Sequence, residues 1–173
     1  MAKSYLEVAH NFSIDESSPS GLVWAVARKG GRTYPGKQAG CKDHKDYWIV
    51  CLKENEVKAN YRVHRIIMAI ALGKEPEGQV DHIDGDVTNN RLDNLRLCPR
   101  GNLDNAQNLG LNSKNTSGHT GVMKASKNDK WQAQIKVDGK MIWLGYHDTK
   151  EAAIAAYVEA KAKYHTFNPT VRL

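Results

Sequence analysis

The stretch VDHIDGDVTNNRLDNLRLC, residues 80–98, decides how this chain is read. Two short arms rich in Val, Ile and Leu flank a loop loaded with Asp, Asn and Gly, the pattern of a β-hairpin with an extended connection. Asp81, His82, Asp84 and Asp86 crowd the start of that loop in a chain whose net charge is +6. Such a cluster is either a turn that is acidic by composition or a site that holds a divalent cation and activates a water. Asp81 and His82 are adjacent, so on a strand their side chains point to opposite faces and cannot grip one small ion symmetrically. They can divide the work: Asp81 ligates the cation through its carboxylate, and His82, whose imidazole titrates near neutrality, takes a proton from water. A third group has to close such a site. NLDN (102–105) offers Asn102 and Asn105 on one face of a short helix, and either can bring an amide oxygen to the ion. Asp84 and Asp86 read as loop formers.

The 173 residues, 40% of them hydrophobic, suffice for one ordinary domain or two small ones. No apolar run approaches the roughly 20 residues that span a bilayer, and MAKSYLEVAH lacks the charged start and apolar block of a secretory signal. The expectation is an intracellular protein with no membrane partner. Cys41, Cys51 and Cys98 are far apart and form no C-x-x-C pair, so they read as reduced and inert. A metal here would then be held by oxygen and nitrogen, which favours a magnesium-like ion over zinc. Residues 109–173 carry ten Lys or Arg against five Asp or Glu, while residues 1–108 carry fifteen against fourteen. The C-terminal third thus holds most of the positive excess, as an anchor for phosphates would.

The polar stretch PRGNLDNAQNLGLNSKNTSGHTG (99–121) offers little to bury and marks a domain boundary near Gly110 to Gly118, giving domains 1–110 and 111–173. Before it, GLVWAVA (21–27) and DYWIVCL (46–52) read as strands. YRVHRIIMAIALGKEP (61–76) reads as a helix, with Val63, Ile66, Ile67, Ile70 and Ala71 at helical spacing and Gly73 and Pro76 stopping it. His64 on that helix reads as a packing or hydrogen-bonding residue. GNLDNAQN (101–108) begins a short helix. After the boundary, GVMKA (121–125), WQAQIKV (131–137) and KMIWLGY (140–146) read as three strands, joined by the turns KNDK (127–130) and Asp138-Gly139. HDTKEAAIAAYVEAKAKYHTF (147–167) reads as a helix opened by Asp148 or Thr149 with Glu151 as cap partner. Alternation places Trp131, Ala133, Ile135, Val137, Ile142 and Leu144 on one sheet face, and Gln132, Gln134, Lys136, Met141 and Trp143 on the other. A tryptophan stranded among Gln and Lys is a poor core residue and a good contact for sugar, base edge or methyl group.

VDHIDGDVTNNRLDNLRLC followed by NLDN resembles the HNH nuclease motif in its ββα-metal form, above all that of phage homing and intron-associated endonucleases. VHRIIM (63–68) is similar to the helix that precedes the motif in those enzymes, and GLVWAVARKGG…PGKQAG to their N-terminal strands, so the resemblance covers roughly residues 12–108. It implies His82 as general base, Asp81 and Asn102 as ligands of one Mg²⁺ or Mn²⁺ with no zinc, and Asn94 as the central Asn that pins the loop. One residue fewer than usual precedes the helix, so Asn105 stands as the alternative ligand, with Asn102 preferred. Arg65 is a candidate phosphate contact.

The segment 116–168 resembles an AP2 (ERF-type) DNA-binding domain through SGHTGV, KWQAQIKVDGK, WLGYHDTKEAAIAAYVEA and HTFN. That resemblance implies a sheet entering the major groove of double-stranded DNA, with Lys124, Gln134, Lys136 and Trp143 as contacts and the helix as support. Thr120, Met123 and Met141 stand where plant members carry arginine, so the plant target does not transfer. The expected protein is an α+β, phage-encoded, site-directed DNA endonuclease acting in the bacterial host cytoplasm as monomer or homodimer, with no small-molecule cofactor. The alternatives are a non-catalytic DNA-binding regulator and a restriction-type or structure-selective HNH nuclease.

Overall fold

The computed structural model describes residues 2–28, 32–54, 57–108, 110–111, 113–126 and 129–167. Part of the expected KNDK turn and the Asn168 end of HTFN lie outside them. The elements run α1 (Tyr5–Ala9), β1 (Phe12–Ile14), β2 (Leu22–Trp24), β3 (Cys41–Lys42), β4 (Trp48–Glu54), β5 (Val57–Arg62), α2 (Val63–Leu72), β6 (Gln79–His82), β7 (Leu95–Cys98), α3 (Asn102–Asn105), β8 (Val122–Lys124), β9 (Trp131–Val137), β10 (Lys140–His147) and α4 (Lys150–Tyr164). This is a mixed architecture of small antiparallel sheets and few helices. Among the described residues no helix is long and apolar enough to cross a membrane.

The chain divides into two compact units, Met1–Pro99 and Arg100–Leu173. In the first, α2 is the central element. Val63, Ile66 and Ile67 recur on one face and are fully buried, and they pack with Leu22, Trp24, Val50 and Tyr61 from the surrounding strands. Burying each of those isoleucines contributes roughly 1.5–3 kcal/mol. Gly73 ends the helix in a left-handed turn, its N–H reaching Ala69 O at 3.0 Å. The helix starts two residues later than the apolar spacing predicts, because Tyr61 and Arg62 finish β5 and pair with Val50 and Ile49 of β4. Around it lie the hairpin β1–β2, the three-stranded sheet β3–β4–β5 and the hairpin β6–β7. The GLVWAVA strand shrinks to Leu22–Trp24, all three residues buried.

In the second unit the sheet order is β10-β9-β8, antiparallel throughout, with α4 against one face. Val122, Ala133 and Ile135 meet Ala153, Tyr157 and Ala160 there. Thr149 caps α4 by accepting the Ala152 N–H at 3.1 Å. Gly121, with φ +72°, precedes β8 where a Cβ would lie 2.2 Å from Tyr157 and 2.4 Å from Gln134 O, so only glycine lets helix and sheet close there. The two units part between Pro99 and Arg100, at the start of the polar stretch 99–121, because residues 100–108 are tied into the second unit. Arg100 pairs with Asp138 at 3.1 Å, Lys161 donates from a buried Nζ to Gln107 O at 2.7 Å, and Phe167 N donates to Gln107 Oε1 at 3.0 Å.

Candidate active site and nucleic-acid interface

The β6–β7 hairpin pairs Gln79 with Cys98, Val80 with Leu97, Asp81 with Arg96 and His82 with Leu95. Its twelve-residue connection, residues 83–94, ends in a short 3₁₀ turn, Leu92–Asn94. Asn94 holds the loop by three bonds. Its Oδ1 accepts the Asp84 N–H at 3.0 Å, and its Nδ2 donates to Asn89 O at 2.8 Å and to Asp84 Oδ1 at 2.9 Å. Asp84 also accepts from Asp86 N and Asn89 Nδ2, and Asp86 accepts from Thr88 N, so both aspartates shape the loop. Burial alone would raise the Asp84 carboxyl; the hydrogen bonds from Asn89, Asn94 and Asp86 N–H outweigh it and hold the group below its ordinary value.

Asp81 and His82 are both buried at the end of β6, and each is held by a different partner. The guanidinium of Arg96 donates to Asp81 Oδ2 from Nε at 3.0 Å and from Nη2 at 2.9 Å. His82 Nε2 lies 3.0 Å from Asn90 Oδ1, and Asn90 Nδ2 donates to Ser20 O at 3.0 Å. The His82 ring also meets two aromatic neighbours: His64 edge-on, centroids 5.0 Å apart, and Tyr47 at 6.1 Å. Burial pushes His64 down to about 3, aided by the neighbouring His82, Arg62 and Arg65, so it is neutral at ordinary pH. Arg62 lies 4.5 Å over the Tyr47 ring and pairs with Asp43.

Arg65 uses Nη1 on Gly78 O at 2.7 Å and Nη2 on Pro76 O at 2.8 Å, and its guanidinium covers Tyr5 at 4.8 Å. A phosphate at Arg65 would compete with both bonds. Asn102 and Asn105 bound α3 in the second unit. Sequence reasoning did not single out Tyr47, Asn90 or Arg96. Arg96 was within reach of it, since a hairpin pairing His82 with Leu95 sets Arg96 opposite Asp81. Asn90 carries no local signal, because its partner is 70 positions away.

In the second unit the sheet face opposite α4 is open. Met141 pairs with Lys136, Trp143 with Gln134 and Tyr146 with Gln132. Trp143, 49% exposed, stands 4.9 Å from Tyr146 in an edge-on pair. Both belong to this face because β10 holds a bulge: Trp143 and Gly145 face consecutive residues of β9, leaving Leu144 unpaired. Gln134 and Lys136 lie on the same face. Lys124 does not. Its register partner is Trp131, on the α4 side, and its Nζ sits 3.1 Å from Asp129; Met123 is the β8 residue that joins the open face. A cavity of about 520 Å³ in this unit is lined by Gln134, Lys136 and Met141 of the sheet, Asn102 and Leu103 of α3, and Tyr157 and Lys161 of α4.

Comparison with known proteins gives two findings. Residues 61–104, from the end of β5 through the hairpin into α3, match the HNH endonuclease family HNH_3. Protein 3.8 of Escherichia phage T7 is 36% identical over 81 residues, which make up 46% of this chain and 64% of the phage protein. The chain therefore spans less than two thirds of the length of that curated relative. It carries an HNH endonuclease domain at residues 61–104 and has a phage homologue.

Proposed function

We propose that this protein is a metal-dependent, homing-type DNA endonuclease in which residues 1–110 cut and residues 111–173, an AP2-like module, hold double-stranded DNA. The observation that carries the reading is a buried His82 fixed beside a buried Asp81 at a hairpin end, inside the segment that matches a nuclease family. His82 is the general base. It takes a proton from water as the water oxygen bonds to phosphorus and the P–O3′ bond breaks, which leaves 5′-phosphate and 3′-hydroxyl ends.

Asp81 offers a carboxylate oxygen, a ligand of the kind Mg²⁺ or Mn²⁺ accepts while keeping several waters. When bound, such an ion supplies positive charge for the phosphorane and the leaving oxygen. Asn94 sets the loop, and Gln134, Lys136, Met141, Trp143 and Tyr146 form the DNA-facing surface, with Lys124 reaching phosphate from the sheet edge. The phage homologue supports action in the host cytoplasm.

A plasmid-nicking assay with and without EDTA tests the reading. Cleavage should need Mg²⁺ or Mn²⁺, and His82→Ala should lower its rate by about 10²–10⁴-fold while DNA binding persists. A variant that cuts at the normal rate removes His82 as base. One observation favours a second reading, a DNA-binding regulator without activity: Arg96 already neutralises Asp81. Wild-type protein that binds DNA but never nicks it, with either metal, would decide for that reading.

A further inference from the structure

We infer that Asn90, clamped by the β1–β2 hairpin, is a positioning residue that fixes the tautomer and orientation of His82. The inference rests on the nuclease reading of His82, and it brings in a part of the chain that lies outside the residues matching the HNH family. The logic is one of donors and acceptors. Ser20 O is a carbonyl and can only accept, so the Asn90 atom 3.0 Å from it is the amide nitrogen. That assignment turns Asn90 Oδ1 toward His82 Nε2 at 3.0 Å. An amide oxygen also only accepts, so Nε2 carries the hydrogen and Nδ1 is the nitrogen that takes a proton.

The clamp is built to stay put. Asn90 is 4% exposed and Ser20 is fully buried, so neither exchanges its bond for water. The hairpin loop around Ser20 is closed by Gly21 N–H to Ser18 O at 2.8 Å and by Asp15 N–H to Gly21 O at 3.1 Å. Gly21 has φ +74°, and a Cβ there would lie 3.2 Å from Asn90 O and 3.3 Å from Asn90 Cβ, so hairpin and loop approach as closely as a glycine allows. The His64 ring, edge-on at 5.0 Å, adds a flat wall against rotation of the imidazole.

Partners that orient a functional histidine in this way are typically worth about 10–100-fold. The test is ¹⁵N NMR of histidine-labelled full-length protein, alongside cleavage kinetics. Wild-type His82, when neutral, should show the Nε2–H form. Asn90→Leu should redistribute the proton between the two nitrogens and lower kcat by about 10–100-fold with KM nearly unchanged. Asn90→Asp, which still accepts from Nε2 but cannot donate to Ser20 O, should keep the Nε2–H form and recover only part of kcat. Gly21→Ala, remote from the chemistry, should show a partial version of the Leu effect. Wild-type His82 protonated on Nδ1, or a tautomer and kcat indifferent to Asn90→Leu, overturns the clamp. The two readings come apart in the wild type: cleavage with an Nδ1–H ring overturns the clamp alone, whereas an Nε2–H ring in a protein that never cuts supports the clamp and overturns the nuclease.

Discussion

In the β6–β7 hairpin Asp81, His82, Asn90 and Asn94 are inside, each spent on a named partner; in the β8–β10 sheet Trp143 and Tyr146 stand outside among polar side chains, and the inside is apolar packing around Tyr157. On the proposed reading the contrast follows from what each surface does: a base must sit in one orientation, and Asp81, His82, Asn90 and Asn94 give up solvent for fixed bonds. A recognition face must meet a partner, and Met141, Trp143 and Tyr146 keep their exposure.

That contrast can be broken most forcefully at Asn94. If the hairpin loop is held by polar bonds rather than apolar packing, Asn94→Ala, which removes three of them, should destabilise the first unit by about 2–4 kcal/mol. Urea unfolding would read it, and a change below about 0.5 kcal/mol would mean the loop holds without its amide.

Next comes pH. His64 stands at about 3 in the folded protein against 6.5 when unfolded, so between those values the unfolded chain binds more protons and stability falls as pH falls. The loss should be roughly 1.4 kcal/mol per pH unit below about 6.5, or on the order of 3 kcal/mol by pH 4.5. Stability is fully present above 6.5, and His64→Phe should flatten the dependence. Equal slopes for wild type and variant in calorimetry would sink the account.

The sheet should respond in the opposite manner. Trp143→Ala should leave the melting temperature within a degree or two yet weaken DNA binding about tenfold, on the order of 1.4 kcal/mol. A large drop in stability with unchanged affinity would make the open face structural. The smallest effect is expected at Lys136. Lys136→Ala should lower the slope of log affinity against log salt by about 1, as loss of one phosphate contact does.

Legibility follows the same divide. Periodicity announces α2 and β9, since each buries one face and its pattern survives in the sequence, whereas β10 and α4 show through their residue types, the tight turn before β10 and the Thr149 cap of α4. The Asp138-Gly139 turn is as plain, with Asp138 at φ +46° and Gly139 at φ +84°. The hairpin shows through its turn residues and its register. Other parts are harder to read. VKANYR of β5 alternates, Val57, Ala59 and Tyr61 against Lys58, Asn60 and Arg62, but only Tyr61 is buried and its end runs straight into the apolar pattern of α2, and α1 has a Ser4–Glu7 capping box but is five residues long, too short for an apolar stripe. Among the site residues, Asp81 and His82 stand out as types in a row, whereas Asn90 acquires its meaning only when Ser20 is folded against it. A tertiary hydrogen bond between positions so far apart leaves no local pattern to read.

Leu144 has one more thing to say. An unpaired residue inverts the parity of everything downstream in its strand, so Tyr146 shares a side with Trp143 although an odd number of positions separates them. Deleting that leucine would close the bulge into regular alternation, leaving Tyr146 outward opposite Gln132 and His147 opposite Trp131, and would cost the sheet only the packing of Leu144 against the core. The extra residue thus lets β10 send a side chain inward between Trp143 and Gly145 without disturbing the surface offered to a partner.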